Sequence, residues 1–389
     1  MVALTASIAT TSPEPIAHRT VIASNPEPIA APLPLTFDLD SDHEAHEPPE
    51  ARGVDRDDVR LLVSRGIDDP FHTTFRSLPE LLVPGDLVVV NNSPTMAAAI
   101  DVLIDGVGPA VVHVSTRLPG DLWMVEPRRR IANGSTVPLT LDPRPATVRL
   151  AATGVPFLHL LQPSPGSVRL WLAAAADRID VSDELTAHGR PIRYRYVPED
   201  WPIDAYQTTF ADGGGPFADR WGSAEMPSAA RPFTTSIVTR LVRRGIGVVP
   251  ITLHTGVSSL EGRERPYAEQ YRVPAATAEA INATHRTGGH VIAIGTTVVR
   301  GLETVTDQAG TVHPGDGWTD VVITPERRLR SVDGLLTGWH EPEATHLAML
   351  EAVAGRESLV LAYEAAFAEG YLWHEFGDSH LILPYAGRR

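Results

Sequence analysis

The sequence predicts the α/β fold class, with a large discontinuous α/β domain and an inserted, smaller, all-β domain of barrel-like form. Helix and strand patterns occur before residue 97 and again after residue 196, whereas short alternating apolar runs fill the stretch between them. The third observation is an apolar strand that ends at Gly295 and leads directly into a helix pattern. We therefore expect the α/β domain at 36–96 and 197–389, the insert at 97–196 and a flexible tail at 1–35.

In the first part of the chain, the sequence predicts irregular segments followed by the first regular elements. Residues 1–35 are rich in Ala, Thr, Ser and Pro, and they lack the basic start and compact apolar core of a signal peptide. Asp38–Asp58 is acidic and contains two adjacent prolines, which predicts an exposed segment. Order should begin near Val59–Val63, followed by a short helix at Ser77–Leu82 and a buried strand at Asp86–Asn91.

The insert is predicted from runs whose apolar and polar residues alternate, as in half-buried strands. These runs are Ala110–Ser115, Leu122–Glu126, Thr147–Ala151, Phe157–Leu161 and Val168–Leu172. Gly and Pro punctuate them, which is typical of an antiparallel module. We expect a small barrel or sandwich.

The second α/β part alternates longer helical patterns with short apolar strands. Helices are predicted at Thr234–Gly245 and Ala275–Thr287 and within Glu343–Gly370, and strands at Val248–His254, Val291–Gly295 and Asp320–Ile323. This alternation resumes the pattern that precedes the insert, so we expect both parts to belong to one discontinuous domain.

The segment His290–Thr304, HVIAIGTTVVRGLET, predicts a strand that turns through Gly295 into a helix. Such a turn places backbone N–H groups and hydroxyls at the carboxyl end of a sheet, where open α/β sheets bind small ligands. Thr296 and Thr297 are therefore candidates for binding a carboxylate or a ribose. The alternative is that a Thr side chain simply caps the helix.

Composition excludes several chemistries. The chain has 389 residues, no Cys, and 33 basic residues that are all Arg. Without Cys there are no disulfides, thiolate nucleophiles or cysteine-ligated metals, and without Lys there is no Schiff base or P-loop lysine. No apolar run is long enough to span a bilayer and no targeting signal is evident, so we expect a cytoplasmic protein without a membrane partner.

The net charge of −15 argues against broad affinity for nucleic acid, which needs a basic face. Local basic clusters nevertheless occur at Arg128, Arg129 and Arg130, at Arg240, Arg243 and Arg244, and at Arg327, Arg328 and Arg330. They are either scattered solvated arginines or a surface that faces RNA.

Several segments, in the same order and spanning about 56–382, resemble motifs of the S-adenosylmethionine:tRNA ribosyltransferase-isomerases of the queuosine pathway. Besides the HVIAIGTT stretch, they are Arg56–Val63 (RDDVRLLV), Leu78–Asn91 (LPELLVPGDLVVVN), Asp204–Ala211 (DAYQTTFA), Thr252–Gly256 (TLHTG), Leu335–Leu350 (LLTGWHEPEATHLAML) and Phe376–Ile382 (FGDSHLI). Glu269 and Tyr271 stand where the family has the Glu and Tyr of its MHxExY string. The family also places a smaller β-domain where the insert lies.

The resemblance implies that S-adenosylmethionine serves as a donor of ribose and is a substrate rather than a cofactor. The ribosyl unit passes to the aminomethyl group of a 7-deazaguanine base in tRNA and is isomerised, and adenine and methionine leave. This chemistry requires a base for the protons beside the sulfonium and an acid for the departing adenine. It requires no metal and no redox cofactor, and we expect a monomer.

The candidate catalytic residues are His254, Glu269 and His340. The candidate binding residues are Tyr206, Gln207, Gly295, Thr296, Thr297, Arg300, Thr337 and Asp378. His254 and Asp378 are expected at sheet ends, and Glu269 is either a general base or an acceptor for ribose hydroxyls. Tyr206 either binds a base edge with Gln207 or packs between modules. Arg300 either reaches the carboxylate of the donor or pairs with Glu303, three positions away.

The chain departs from the family at several polar positions. Asn92, Pro94 and Ala99 replace an Asp and two Arg, Ala230 and Pro232 replace a Gly and a His, Tyr267 replaces a His, and Gly338 replaces an Asn. Replacing Arg with Pro or Ala removes a bidentate anion contact. Three hypotheses therefore stand: the family reaction, a diverged paralogue that uses S-adenosylmethionine on another acceptor, and a non-catalytic binding protein.

Overall fold

The computed structural model describes residues 35–131, 134–167, 169–212, 221–257, 267–342 and 344–384. It therefore leaves most of the predicted tail, and Val168 of one predicted run, outside the described residues. Within the described ranges no helix is both long and apolar enough to cross a membrane.

A nine-stranded mixed sheet forms the body of the protein, in the spatial order β14-β12-β11-β3-β13-β15-β16-β1-β2. Its strands are β1 (Arg60–Arg65), β2 (Phe71–Thr74), β3 (Leu87–Asn91), β11 (Gly247–Leu253), β12 (Glu269–Val273), β13 (Val291–Ile294), β14 (Gly315–Thr319), β15 (Gly334–Gly338) and β16 (Ser379–Leu383). The four central strands β11, β3, β13 and β15 are parallel. Their carboxyl ends therefore meet at one edge of the sheet.

Helices cover both faces of this sheet, as an α/β protein requires. They are α1 (Leu78–Leu81), α3 (Thr235–Arg243), α4 (Ala275–Thr287), α5 (Thr296–Val305), α6 (Thr345–Ala354) and α7 (Arg356–Ala368). In β3, Leu87 and Val89 pack in one core with residues of α4 to α7, whereas Val88 and Val90 pack in the other with residues of α1 and α3. The apolar run predicted at Asp86–Asn91 is thus buried on both faces.

The chain leaves the large sheet after β3 and forms a second, antiparallel sheet. It contains β4 (Ala99–Ile104), β5 (Gly108–Leu118), β6 (Leu122–Arg130), β7 (Thr136–Pro138), β8 (Ala146–Leu150), β9 (Pro156–Pro163) and β10 (Trp171–Ala175), and α2 (Val181–His188) follows. Pairing of β10 with β6 closes six of these strands into a barrel. The predicted fold class is therefore confirmed, whereas the exact domain boundaries stay a prediction.

The strand predicted at Asp320–Ile323 is wrong. The strand that pairs with β12 is β14, at Gly315–Thr319, and no regular element follows it directly. The carbonyl of Val321, beyond the end of β14, accepts a hydrogen bond from the Arg300 guanidinium at 3.1 Å. This part of the predicted strand therefore contacts a side chain of α5, a partner that local sequence patterns do not indicate.

The prediction of an exposed segment at Asp38–Asp58 is wrong in part. The ring of Phe37, just ahead of it, lies 5.2 Å from that of Phe367 and 5.4 Å from that of Tyr363, centroid to centroid. Ala45 is buried, and its N–H donates to the carbonyl of Trp373. This segment packs on α7 because its few apolar side chains meet an aromatic cluster that local sequence patterns do not indicate.

Candidate active site

A cavity of about 290 Å³ lies at the edge where the parallel strands end. Residues after β11, β13 and β15 line one side of it, and Arg169, just before barrel strand β10, lines another. The volume is at the lower end of the range typical of small-molecule sites, roughly 300–1,000 Å³. Of the predicted site residues, the cavity brings together Tyr206, Glu269, Gly295, Thr296, Thr297, Arg300, Thr337 and His340.

The turn after β13 presents a helix N-terminus to this cavity. Gly295 has φ +92°, a conformation that suits a residue without Cβ, and its N–H donates to the carbonyl of Leu336 at 2.8 Å. Thr296 is the first residue of α5, and the N-cap residue is Gly295, which has no side chain to cap the helix. The capping alternative for the two threonines is therefore wrong. The first turn of a helix has N–H groups without intrahelical partners, so this end suits an anion.

Arg300 is held by Glu269 rather than by Glu303. Its guanidinium donates to the Glu269 carboxylate and to the carbonyl of Val321 at 3.1 Å. The other Glu269 oxygen accepts the N–H of Gly256 at 2.9 Å. The predicted pairing with Glu303 is wrong, because the carboxylate of that residue accepts the N–H and the hydroxyl of Ser331, at 2.9 and 2.6 Å.

Two stacked histidines form the neighbouring wall. The rings of His340 and His346 lie 4.6 Å apart at an interplanar angle of 10°, and Nε2 of His340 lies 2.9 Å from the hydroxyl of Thr337. Burial holds the pKa of His340 well below its usual range, and it lowers that of His346 to about 4. Both imidazoles are therefore neutral near pH 7, the form that accepts a proton.

Tyr206 lies on the same cavity, as predicted, and is only 2% exposed. Its ring packs against Phe376 with the centroids 5.1 Å apart. Its hydroxyl is buried and finds no hydrogen-bond partner among the described residues. The ring thus packs within the α/β domain, and binding of a base edge by the hydroxyl stays a prediction.

Three predicted site residues do not line the cavity. Nδ1 of His254 lies 2.7 Å from the hydroxyl of Ser93, within a buried hydroxyl network. The amide of Gln207 pairs with both backbone groups of Thr95, at 3.0 and 2.8 Å. Asp378 accepts the N–H of Arg60 at 2.8 Å and that of Leu372 at 2.9 Å. These side chains hold loops in place, because buried backbone groups need partners.

The structure adds a group of cavity residues that sequence reasoning missed, namely Tyr194, Tyr196, Glu225, Glu341, His346, His374 and Glu375. The Tyr196 hydroxyl donates to Glu375, 179 positions away. Burial, together with the negative charges of Glu225 and Glu341, raises the pKa of Glu375 to about 7. The adjacent His374 and Glu375 directly precede the FGDSHLI motif, but no local pattern indicated that they face a cavity.

The substituted family positions divide into two groups. Tyr267 and Gly338 line the cavity, and the Tyr267 hydroxyl contacts that of Ser115. The others, Asn92, Pro94, Ala99, Ala230 and Pro232, do not line it. Asn92, for example, accepts the hydroxyl hydrogen bond of Thr252 at 2.7 Å. Most of the departures therefore lie away from the cavity wall.

Such a cavity, with charged and polar side chains between the carboxyl edge of a mixed sheet and an inserted barrel, defines a small-molecule-binding protein of the enzyme type. The sequence profile of the family described as "Queuosine biosynthesis protein" matches residues 34–382. The chain belongs to this family.

Curated relatives carry a common name. A protein of Symbiobacterium thermophilum is 33% identical over 364 residues, covering 89% of this chain and 98% of its own length. One from Desulfitobacterium hafniense is also 33% identical, over 360 residues and with the same shares. Both are named S-adenosylmethionine:tRNA ribosyltransferase-isomerase. The crystal structure of an S-adenosylmethionine tRNA ribosyltransferase from Thermotoga maritima is 23% identical, with a TM-score of 0.48, covering 90% of this chain and 99% of that one.

Proposed function

We propose that this protein is an S-adenosylmethionine:tRNA ribosyltransferase-isomerase. It transfers ribose from S-adenosylmethionine to 7-aminomethyl-7-deazaguanine in tRNA and isomerises it, as a step of queuosine synthesis. The observation that carries the proposal is the family match over 34–382, which includes every residue that lines the cavity. S-adenosylmethionine and tRNA are then its substrates. The monomeric state and the cytoplasmic location stay predictions.

The cavity offers separate groups for the polar ends of the donor. The N-terminus of α5, with Thr296 and Thr297, suits the carboxylate of the methionine part. Arg300 is engaged by Glu269 and two carbonyls, so its role is to position Glu269 as well as to add positive charge. Each oxygen of Glu269 already accepts one hydrogen bond and retains a lone pair, which suits it to accept a ribose hydroxyl.

His340 is the best candidate for the base. Its low pKa keeps it neutral, and the Thr337 hydroxyl orients its ring. In this role a carbon beside the sulfonium gives its proton to an imidazole nitrogen and keeps the electron pair. The ring of the neighbouring His346 stacks on that of His340. His346 would take up little of the positive charge that His340 gains with the proton, because burial disfavours protonation of His346 as well.

The direct test is to incubate the protein with S-adenosylmethionine and with tRNA carrying the aminomethyl base. Adenine release and the mass of the modified base are then measured by liquid chromatography and mass spectrometry. We expect release of adenine only when this tRNA is present. Substituting His340→Gln should lower the rate by roughly 10²–10⁴-fold, whereas His159→Gln, on the exposed face of the barrel, should not.

A second candidate is a paralogue that uses the same donor on another acceptor. The altered wall positions Tyr267 and Gly338 favour it, because they change the cavity itself. Adenine release at the same rate with and without the tRNA would support this second candidate and reject the first. Absence of any binding of S-adenosylmethionine at millimolar concentration would reject both and leave the non-catalytic reading.

A further inference from the structure

One end of the cavity combines carboxylates with stacked aromatic rings. We call it the acidic corner and define it by Tyr194, Tyr196, Tyr206, Glu225, Glu341 and Glu375, all of which line the cavity. The rings of Tyr194 and Tyr196 lie 5.6 Å apart at 17°, and that of Tyr196 lies 3.6 Å from His374 at 8°. These stacks fix Tyr196, and its hydroxyl in turn holds the carboxylate of Glu375.

The carboxylate of Glu375 is held by a hydroxyl and not by a basic side chain of the described part of the chain. Among the described residues, no Arg or His forms an ion pair with it, and its hydrogen-bonding side-chain partner is the neutral Tyr196 hydroxyl. The charged groups that raise its pKa are the carboxylates of Glu225 and Glu341. The imidazole nearest to Glu341 is His374, 3.7 Å away, and burial lowers its pKa to about 3, so it carries no compensating charge.

A second and independent observation also indicates a ligand at this end. The Tyr206 hydroxyl is buried and lacks a hydrogen-bond partner among the described residues, and this tyrosine lines the cavity. Nε1 of Trp339, on the same wall, is likewise unpartnered. Buried polar groups of this kind are costly unless a bound molecule or water completes them.

We propose that the acidic corner binds a positively charged sulfonium or ammonium group of a substrate, with Glu375 as its main counter-charge. Carboxylates attract such a group strongly across a low-dielectric cavity. This inference rests on the proposed function, which supplies three such groups. They are the sulfonium and the amino group of the donor, and the aminomethyl group of the acceptor base.

Binding of a cation should be linked to ionisation of Glu375. Since its pKa is raised to about 7, a fraction of this carboxyl is neutral at neutral pH, and a cation favours the ionised form. Affinity for the cation should therefore rise as the pH increases from 6 to 8. The titratable groups that face Glu375 are Tyr194, Tyr196, Tyr206, Glu225, Glu341 and His374. Tyr196 and Tyr206 do not titrate in this window, because burial raises the pKa of each hydroxyl well above its usual value.

The experiment compares the full chain with Glu375→Gln, which keeps the shape but removes the charge. Glu357→Gln, at an exposed position on α7, is the matched control. Calorimetry measures binding of S-adenosylmethionine, of S-adenosylhomocysteine, which keeps the amino group but lacks the sulfonium charge, and of 5′-methylthioadenosine, which lacks both. Thermal melting verifies that each variant is folded.

We expect Glu375→Gln to weaken S-adenosylmethionine binding at pH 8 by roughly tenfold or more, and to abolish its pH dependence. Weakening of this ligand alone assigns the corner to the sulfonium, and equal weakening of S-adenosylhomocysteine assigns it to the amino group. If neither changes but the KM for tRNA carrying the aminomethyl base rises with kcat retained, the corner binds the acceptor.

Two results would overturn the inference. One is a Glu375→Gln variant that matches the wild type for all ligands and for the tRNA KM. The other is an equal loss for uncharged 5′-methylthioadenosine, since Glu375 would then shape the cavity rather than bind a cation. If the wild type itself bound no S-adenosylmethionine, the proposed function would fail first, and the inference with it.

Discussion

The two ends of the cavity differ in how a buried carboxylate is held. At the Arg300 end, a guanidinium and the Glu269 carboxylate neutralise each other, and each side chain is only 11% exposed. At the acidic corner, Glu375 is held by a tyrosine hydroxyl and faces two further carboxylates. The first pair is complete within the protein, whereas Glu375 has no Arg or His partner among the residues that the structure describes. The paired end needs no charge from a ligand, whereas Glu375 would be stabilised by a ligand that carries a positive charge.

The largest expected effect comes from breaking the paired end. Arg300→Met leaves Glu269 buried without its cation, so we expect the free energy of unfolding to fall by about 3–5 kcal/mol. Urea denaturation at pH 7 measures this change. Arg300→Met combined with Glu269→Leu should recover more than half of the loss, and a double variant as unstable as the single one would contradict the pairing.

The next effect is a loss of stability at low pH that arises from two buried histidines, His346 and His380. Burial lowers the pKa of His380 to about 3 and that of His346 to about 4, so both stay neutral in the folded chain while the unfolded chain takes up protons below about pH 6.5. Stability should therefore fall as the pH drops from 6.5 towards 3, by at most about 1.4 kcal/mol per pH unit for each such histidine.

His380→Met tests this linkage, since His380 is fully buried and stacked on Trp339 with the ring centroids 4.9 Å apart. We expect a shallower loss of stability between pH 6 and pH 4, by about 2 kcal/mol over that interval. Urea denaturation at both pH values provides the measurement, with His159→Gln as the exposed control. An unchanged slope would mean that His380 is protonated in the folded chain.

The acidic corner should change the pH dependence of the free energy of unfolding in the opposite direction to the buried histidines. The pKa of Glu375 is raised to about 7, so the folded chain binds more protons than the unfolded chain between pH 4.5 and pH 7, and this part of its stability is lost as the pH rises through that window. Glu375→Gln should therefore match the wild type at pH 4.5 and exceed its free energy of unfolding by about 1–2 kcal/mol at pH 8. Destabilisation at pH 8 would show that Glu375 already has a countercharge.

An effect of similar size is expected for Tyr196→Phe, which removes the hydroxyl that donates to Glu375 while keeping the stacked ring. Loss of one hydrogen bond to a carboxylate should cost about 1–2 kcal/mol at pH 8. Because this hydrogen bond favours the ionised form, the pH at which donor affinity rises should shift upwards. Calorimetric titrations between pH 6 and pH 9 locate that pH. An unshifted profile would show that the Tyr196 hydroxyl does not affect the ionisation of Glu375.

Local patterns predicted the helix Ala275–Thr287 at the bounds observed for α4, and the strand–Gly–helix turn at Gly295. They succeed because burial of β3 on both faces leaves a continuous apolar run, and the buried face of α4 leaves a helical period in its residues. The same reasoning selected eight residues that do line the cavity. It could not separate these from His254, Gln207 and Asp378, because a polar side chain at a strand end serves a loop or a ligand equally well.

The sequence by itself determined the fold class, the strand ends that line the cavity, and the family to which the chain belongs. Only the tertiary structure decided which charges are paired. Arg300 meets Glu269 across 31 positions rather than Glu303 across three, and Tyr196 meets Glu375 across 179. The physical reason is that periodicity reports burial within one element, whereas the partner of a buried charge comes from whichever element packs against it.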